Sequence, residues 1–188
     1  MKINLYDFDK TIYDGDSTRD FFFYELKRHP YIFITLFESA LFGLLYLLRV
    51  VNKTIMKEHF YKFLRLIKNI DEEVISFWRT HDKNIKKFYL EKDHTQDIII
   101  SASPEFLLKP ICNKLKVKDL IASLVDKNTG KTDGLNCHDV EKVRRLNEKY
   151  DNYKVMESYS DSLSDMPILI LAKKAYIVKG DELILTDF

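Results

Sequence analysis

The chain has 188 residues, 46% of them hydrophobic, enough to bury a core for one ordinary domain or one domain with an inserted subdomain. Thirty basic residues against 29 acidic leave a net charge of +1, so bulk charge gives no reason to expect a nucleic-acid partner. Two cysteines, Cys112 and Cys137, make no disulfide framework, and no basic-then-apolar leader precedes the first strand, so the expected location is cytoplasmic.

Ile3-Asn4-Leu5-Tyr6 predicts a buried strand that ends by presenting Asp7 and Asp9 at a loop, with Gly15 as a turn residue. Two acids at this spacing can divide labour: one attacks or holds a metal while the other handles protons. From about Ser17 to Lys92 the pattern is helical. Asp16 or Ser17 caps a helix to about Arg28, and Pro30 ends it or opens the next. Residues 31–51 are almost wholly apolar. Thr35, Glu38, Ser39, Tyr46 and Arg49 share one narrow polar face there, broken by Phe42. A helix from about Lys53 sets Met56, Phe60, Phe63, Leu64 and Ile67 on one stripe. Asp71 reads as an N-cap, with Ile70 and Ile75 placed for a hydrophobic staple. The helix after it buries Val74, Phe77, Trp78, His81, Ile85 and Phe88, with His81 a satisfied core or interface histidine.

Asp97-Ile98-Ile99-Ile100 is a short apolar run of the buried parallel type, ending at Ser101. Ser103 as N-cap and Pro104 at the first helical position open a helix to about Leu115. Leu120 to Val125 reads as a strand, Asp126 to Gly134 as a turn-rich flap, and Asp139 to Tyr150 as a helix. Lys154 to Ser160 is a strand, Asp161 to Asp165 its loop, and Met166 to Lys173 a short helix; strands follow at Ala175–Val178 and Leu183–Leu185. This alternation predicts an α/β fold with a doubly wound parallel sheet. The helical block is too long for a simple crossover. The expected division is a core of residues 1–16 and 93–188 with an all-helical cap, residues 17–92, inserted between the first two strands.

Ligands of an open parallel sheet gather at the carboxyl ends of its strands. That end collects Asp7, Asp9, Ser101, Asp161 and Asp165, and the helix at 139–150 adds Lys142. Four carboxylates, a hydroxyl and an ammonium suit a phosphoryl group held with Mg²⁺.

The order of these groups is specific. Asp7-Phe8-Asp9-Lys10-Thr11, Ile99-Ile100-Ser101, Glu141-Lys142-Val143 and Tyr159-Ser160-Asp161-Ser162-Leu163-Ser164-Asp165-Met166-Pro167 follow one another as do the four motifs of the haloacid dehalogenase (HAD) superfamily, which the chain resembles over residues 7–167. The helical insert after the first motif resembles a type C1 cap. With Cys137 ahead of Lys142, it is similar to subfamily IB, the phosphoserine-phosphatase-like branch. The resemblance implies a phosphomonoester hydrolase in which Asp7 attacks phosphorus and carries an aspartyl-phosphate. Asp9 would protonate the leaving oxygen and then take a proton from water. Mg²⁺ would be held by Asp7, the Asp9 backbone carbonyl and Asp161. Ser101 would donate to a phosphate oxygen, Lys142 would neutralise phosphate and Asp7, and Asp165 would orient Lys142 or metal waters. Thr11 would hold the loop or a phosphate oxygen, and Asp16 would face the substrate from beside the cap or serve only as a helix cap. The D-K-T of Asp9-Lys10-Thr11, as in P-type ATPases, is an accidental match, because the register puts Asp7 in the nucleophile position.

Residues 31–51 leave three readings open: a buried cap helix, a segment lying on a membrane, or a spanning helix. Glu38 near the middle opposes a span, at roughly 2.5–3.5 kcal/mol for a charge at the bilayer centre. Lys27, Arg28 and Lys53 flank the segment and suit an anionic surface. The apolar stretch and Ser158-Tyr159-Ser160-Asp161-Ser162 are similar to the phosphatidylglycerophosphatase C group of the same branch. The expected substrate is therefore a small phosphorylated molecule of lipid or amphiphilic kind, met through peripheral contact of residues 31–51 with the inner membrane face. A phosphoserine or other small-metabolite phosphatase, a phosphotransferase and a non-catalytic HAD-like binding module are the alternatives.

Overall fold

The computed structural model of the chain describes residues 1–187. Seven segments pair into one sheet: β1 (Lys2–Tyr6), β2 (Asp97–Pro104), β3 (Asp119–Val125), β4 (Thr132–Asp133), β5 (Lys154–Ser160), β6 (Ala172–Lys179) and β7 (Glu182–Thr186). Their order is β4-β3-β2-β1-β5-β6-β7. The five central strands are parallel, and the short edges β4 and β7 are antiparallel. The chain steps outward from β1 through β2 to β3, then returns to the other side of β1 with β5. The topological switch, and the crevice it opens, therefore lies at the carboxyl end of β1.

The central strands form because both of their faces are covered, as a continuous apolar run requires. Alternate residues serve opposite faces. Ile3, Leu5, Ile98 and Ile100 pack with Leu146 and Ile168 on one side. Tyr6, Phe8 and Ile99 pack with Phe77, Trp78 and Leu107 on the other. Eight helices surround the sheet: α1 (Ser17–Arg28), α2 (Thr35–Leu47), α3 (Lys53–Phe60), α4 (Ile70–His81), α5 (Lys87–Leu90), α6 (Glu105–Leu115), α7 (Val140–Lys149) and α8 (Met166–Leu169). The helices α1 and α4 do not keep a core apart from the sheet. Phe21, Phe22, Phe77 and Trp78 belong to the same buried cluster as Tyr6 and Phe8, and the Trp78 indole donates to the Leu107 carbonyl at 2.6 Å.

Several local expectations are corrected. The residue capping α4 is Asn69, in the left-handed region, while Asp71 sits in the first turn beside Glu72 and Glu73. There three carboxylates meet the positive end of the helix dipole. Ile75 is exposed and forms no staple. Ser103 does not cap α6: β2 continues through Pro104, which takes the N-cap position, and the Ser103 side chain is used elsewhere. The helix after Asp165 lasts only from Met166 to Leu169, because Ala172 already pairs with Val155 in the sheet.

The apolar segment is the largest departure from a buried cap helix. No residue of α2 is buried; Phe37 is 84% exposed and Leu47 75%. The helix is turned with its polar side inward. The Glu38 carboxylate pairs with His59 Nδ1 at 2.7 Å and with the Lys62 ammonium, and the Phe42 ring stacks on His59. These contacts with His59 and Lys62 face the polar side of α2 toward α3, and the apolar side is left outward.

The expected flap is present as the β3–β4 hairpin. Asp126 accepts from the Asn128 and Thr129 amides, and Gly130 takes φ +71° against the Tyr61 carbonyl.

Candidate active site

The end of β1 is folded tightly. The Asp7 amide donates to the Tyr159 carbonyl of β5 at 2.9 Å, and the Ile12 and Tyr13 amides both donate to the Phe8 carbonyl. Lys10 is left-handed at φ +61° and donates to the Gly15 carbonyl. Gly15 sits at φ +151°, which L side chains rarely adopt, and a Cβ there would fall 2.6 Å from Asp20 Oδ2 and 2.9 Å from the Tyr13 ring, so any other residue strains this turn. The result is a cavity of about 230 Å³ whose lining includes Asp7, Asp9, Asp16, Lys142, Asp161 and Asp165.

Lys142 is 1% exposed and donates to Asp7 Oδ1 at 2.7 Å and to Asp165 Oδ2 at 2.8 Å. It is no surface lysine: α7 brings it under the sheet edge from the side opposite α1. Burial pushes the Asp7 carboxyl upward, the Lys142 ammonium opposes this, and the Asp165 charge adds to the rise. Burial would lower Lys142, but the two carboxylates outweigh it and raise the ammonium above its ordinary value. The Ser160 hydroxyl donates to the same Asp165 oxygen at 2.8 Å, and Asp165 Oδ1 is buried without a partner. The Thr11 hydroxyl donates to Asp7 Oδ2 at 3.3 Å and accepts the Asp161 amide at 2.8 Å, so it ties the first-strand loop to the loop after β5.

Asp9 is held by different donors. Its Oδ1 accepts the Ser17 amide at 2.7 Å, and its Oδ2 accepts the Ser103 hydroxyl at 2.5 Å. Burial raises its pKa and the nearby Asp16 charge adds to the rise, while the Ser103 and Ser17 hydrogen bonds hold it down. A carboxyl in this setting keeps a proton more readily than a free aspartate, which suits an acid. Asp16 both caps α1, accepting the Arg19 amide at 2.9 Å, and lines the cavity. Its two expected places are thus one.

Ser101 and Thr11 do not line the cavity. Both are buried, and the Ser101 hydroxyl accepts the Ser103 amide at 3.1 Å. On β2 the hydroxyl that reaches an acid is that of Ser103, two residues on. The S-x-S spacing of Ser101 and Ser103 carries that signal. Ser160, directly before Asp161, which the sequence reading names only within its motif, and His138, on the cavity wall, which it does not name, also belong to the site. A second cavity of about 360 Å³ adjoins the first, sharing Asp9, Asp16 and Ala102. Arg19, Lys53, Met56, Lys57 and Phe60 line it, and the Lys57 ammonium donates to the Ala102 carbonyl at 2.7 Å. Lys53 and Lys57 stand one turn apart on α3, so they share a face.

The donor set suits a hard divalent ion. Asp7, Asp9, Asp16, Asp161 and Asp165 line the cavity with two lysines, Lys10 and Lys142, and the five acids all offer oxygen. Burial and the Asp165 charge raise Asp161, Lys10 and Lys142 only partly offsetting them, so negative charge is in excess here.

The solved structures share the fold. A protein of unknown function from Bordetella pertussis Tohama I superposes with a TM-score of 0.73 at 18% identity, over 94% of this chain and 89% of that one. A phosphoserine phosphohydrolase-like protein from Francisella tularensis gives 0.59 at 15% identity, over 94% and 87%. A phospho-aspartyl intermediate analogue of phosphoserine phosphatase gives 0.51 at 16% identity, over 94% and 85%. No curated protein matches the sequence. The profile of the haloacid dehalogenase-like hydrolases matches residues 5–169, which carry every acid of the cavity together with Lys142, and the chain belongs to that family.

Proposed function

We propose that the chain is a Mg²⁺-dependent phosphomonoester hydrolase that works through an aspartyl-phosphate on Asp7. The observation that carries this is the pairing of a buried carboxylate with a buried ammonium, beside a second carboxyl whose proton is held more tightly than usual. A carboxylate oxygen of Asp7 attacks phosphorus, and the bond to the ester oxygen breaks. Asp9 gives its proton to that oxygen, so the alcohol leaves neutral. Asp9, now ionised, takes a proton from water as its oxygen attacks the aspartyl-phosphate, which returns free Asp7 and releases phosphate. Lys142 neutralises charge at Asp7 throughout, tethered by Asp165. Mg²⁺, when bound by Asp7, Asp161 and the Asp9 backbone carbonyl, supplies the positive charge that lets an anionic nucleophile meet an anionic phosphoryl group.

The proposed substrate is an amphiphilic phosphate taken from the inner face of a membrane, as in the phosphatidylglycerophosphatase C group of subfamily IB. Residues 17–92 act as the cap in this reading. Its α2 and the residues flanking it direct Phe33, Ile34, Phe37, Leu44, Leu47 and Leu48 outward, and α3, packed against α2, carries the lysines of the cavity next to the active site. An apolar face with Lys27 and Arg28 ahead of it suits insertion at an anionic surface. A small-metabolite phosphatase is the second reading. It is favoured by the modest size of the active cavity and by the names of the solved relatives.

The test is a substrate panel of phosphoserine, sugar phosphates and phosphatidylglycerophosphate in mixed micelles, with and without Mg²⁺. Phosphate release with Mg²⁺, lost in chelator and in Asp7→Asn, supports the hydrolase reading. Full activity of Asp7→Asn would rule out the nucleophile. Faster turnover of phosphoserine than of the lipid would select the second reading. Failure to sediment with anionic vesicles would remove the membrane from it.

A further inference from the structure

Glu25, His29 and Glu73 form a cluster outside the active site. Each offers one ligand atom, and the three atoms lie within 4.8 Å of one another. Glu25 and His29 are four residues apart at the end of α1, so they share one helix face, and Glu73 comes from the first turn of α4. His29 Nε2 lies 3.6 Å from Glu25 Oε2 and 4.0 Å from Glu73 Oε1. Ligands on a tetrahedral ion with bonds of about 2.0–2.1 Å stand about 3.4 Å apart, so small side-chain adjustments would close the set.

The second observation is independent of the spacing. Glu25 is 0% exposed, and neither of its oxygens has a hydrogen-bond partner; His29 Nε2 is buried and unpartnered as well. A buried carboxylate without a donor is costly. Arg28 offers no hydrogen bond to Glu25; its guanidinium is spent on Glu73, at 3.0 and 3.2 Å.

We propose that Glu25, His29 and Glu73 bind one divalent transition ion of the Zn²⁺ class, at a site separate from the catalytic acids. The imidazole selects against Mg²⁺ and Ca²⁺, which take oxygen, and favours Zn²⁺ or its neighbours. Three protein ligands leave a fourth position for water. About 12 Å of helix separates Glu25 from Ser17, whose amide holds Asp9, so the ion does not touch the chemistry. Its place is structural. It ties the end of α1 to the start of α4 where Pro30 begins the outward-facing apolar segment, and Tyr31 packs on the His29 ring.

The test uses the full chain, stripped with chelator and then held in excess Mg²⁺ so that the catalytic acids are occupied. Zn²⁺ is titrated by calorimetry, and Co²⁺ by its visible absorption. One equivalent is expected, with the absorption of a four-coordinate site, and the melting temperature should rise by about 5–10 °C at hundredfold excess over Kd. Glu25→Gln and His29→Gln should each weaken Zn²⁺ binding at least about tenfold while leaving Mg²⁺-dependent turnover unchanged. His29 lies at the rim, so its variant folds even if the buried one does not. No Zn²⁺ binding, or binding unchanged in His29→Gln, overturns the proposal.

Discussion

Lys142 and Asp7 form a buried ion pair at 2.7 Å, and the same ammonium holds Asp165 at 2.8 Å. One cation thus answers two carboxylates that would otherwise face each other in a poorly solvated pocket. Removing it should leave two buried charges unpaired. Lys142→Met should therefore cost about 3–5 kcal/mol of stability, read as a shift of the urea midpoint, besides abolishing turnover. A variant as stable as the parent would mean that these acids are protonated or otherwise compensated.

Asp7→Asn should keep the fold, since Asp165 still holds Lys142, and should lower phosphate release by about 10³-fold or more. Acid-quenched protein labelled from radioactive substrate should carry phosphate in the parent and none in the variant. Label retained by Asp7→Asn would move the nucleophile elsewhere.

Asp9→Asn should depend on the leaving group. With an alkyl phosphate, which needs its proton, kcat/KM should fall about 10²–10⁴-fold. With p-nitrophenyl phosphate the first step should survive, giving a burst of about one equivalent of nitrophenolate before a stalled second step. Equal losses on both substrates, with no burst, would remove Asp9 from proton transfer.

Lys57 should give a pH signature. Burial and the neighbouring Lys53 bring its ammonium down to about 8, with Asp9 and Asp16 pulling the other way. Above that pH the group is neutral, so attraction for an anionic substrate weakens and KM should rise between about pH 7 and 9 while kcat holds. Lys57→Arg should flatten the profile, because a guanidinium stays charged, and Lys57→Met should show the high KM throughout. A parent profile that matches Lys57→Met at every pH would mean that the substrate does not meet this lysine.

Gly130 holds the flap against the segment after α3. At φ +71°, an added Cβ would stand 2.6 Å from the Tyr61 carbonyl, so Gly130→Ala should cost about 1–3 kcal/mol in thermal unfolding. Gly43, inside α2 with nothing within 4 Å, is the control: there alanine should stabilise by about 0.5–1 kcal/mol. Equal effects at the two positions would contradict the flap contact.

The acids and Lys142 are legible in the sequence because each closes or follows an element whose type is clear from pattern, and because their order along the chain is distinctive. The choice between Ser101 and Ser103 is not legible. It depends on where β2 stops, and a strand that runs three residues further turns a different hydroxyl toward Asp9. The direction of α2 is hidden for another reason. Periodicity reveals a polar face but not which way it looks, and the partners that pull Glu38 inward, His59 and Lys62, belong to a different stretch of chain. Lys53 and Lys57 read as the solvated side of an amphipathic helix, and only the approach of α3 to the sheet end turns them toward a cavity.

The outward apolar side of α2 and of the residues leading into it also sets how the protein behaves in a tube. Pro30, Tyr31, Phe33, Ile34, Leu36 and Phe37 border an open apolar groove of about 660 Å³. Water wets such a surface poorly, and large contiguous patches of this kind are rare on freely soluble monomers. Purified without amphiphile, copies will shield one another, and apparent mass will rise with concentration. Detergent above its micelle threshold will return single chains, so the dispersion state of a preparation reports whether this helix is covered.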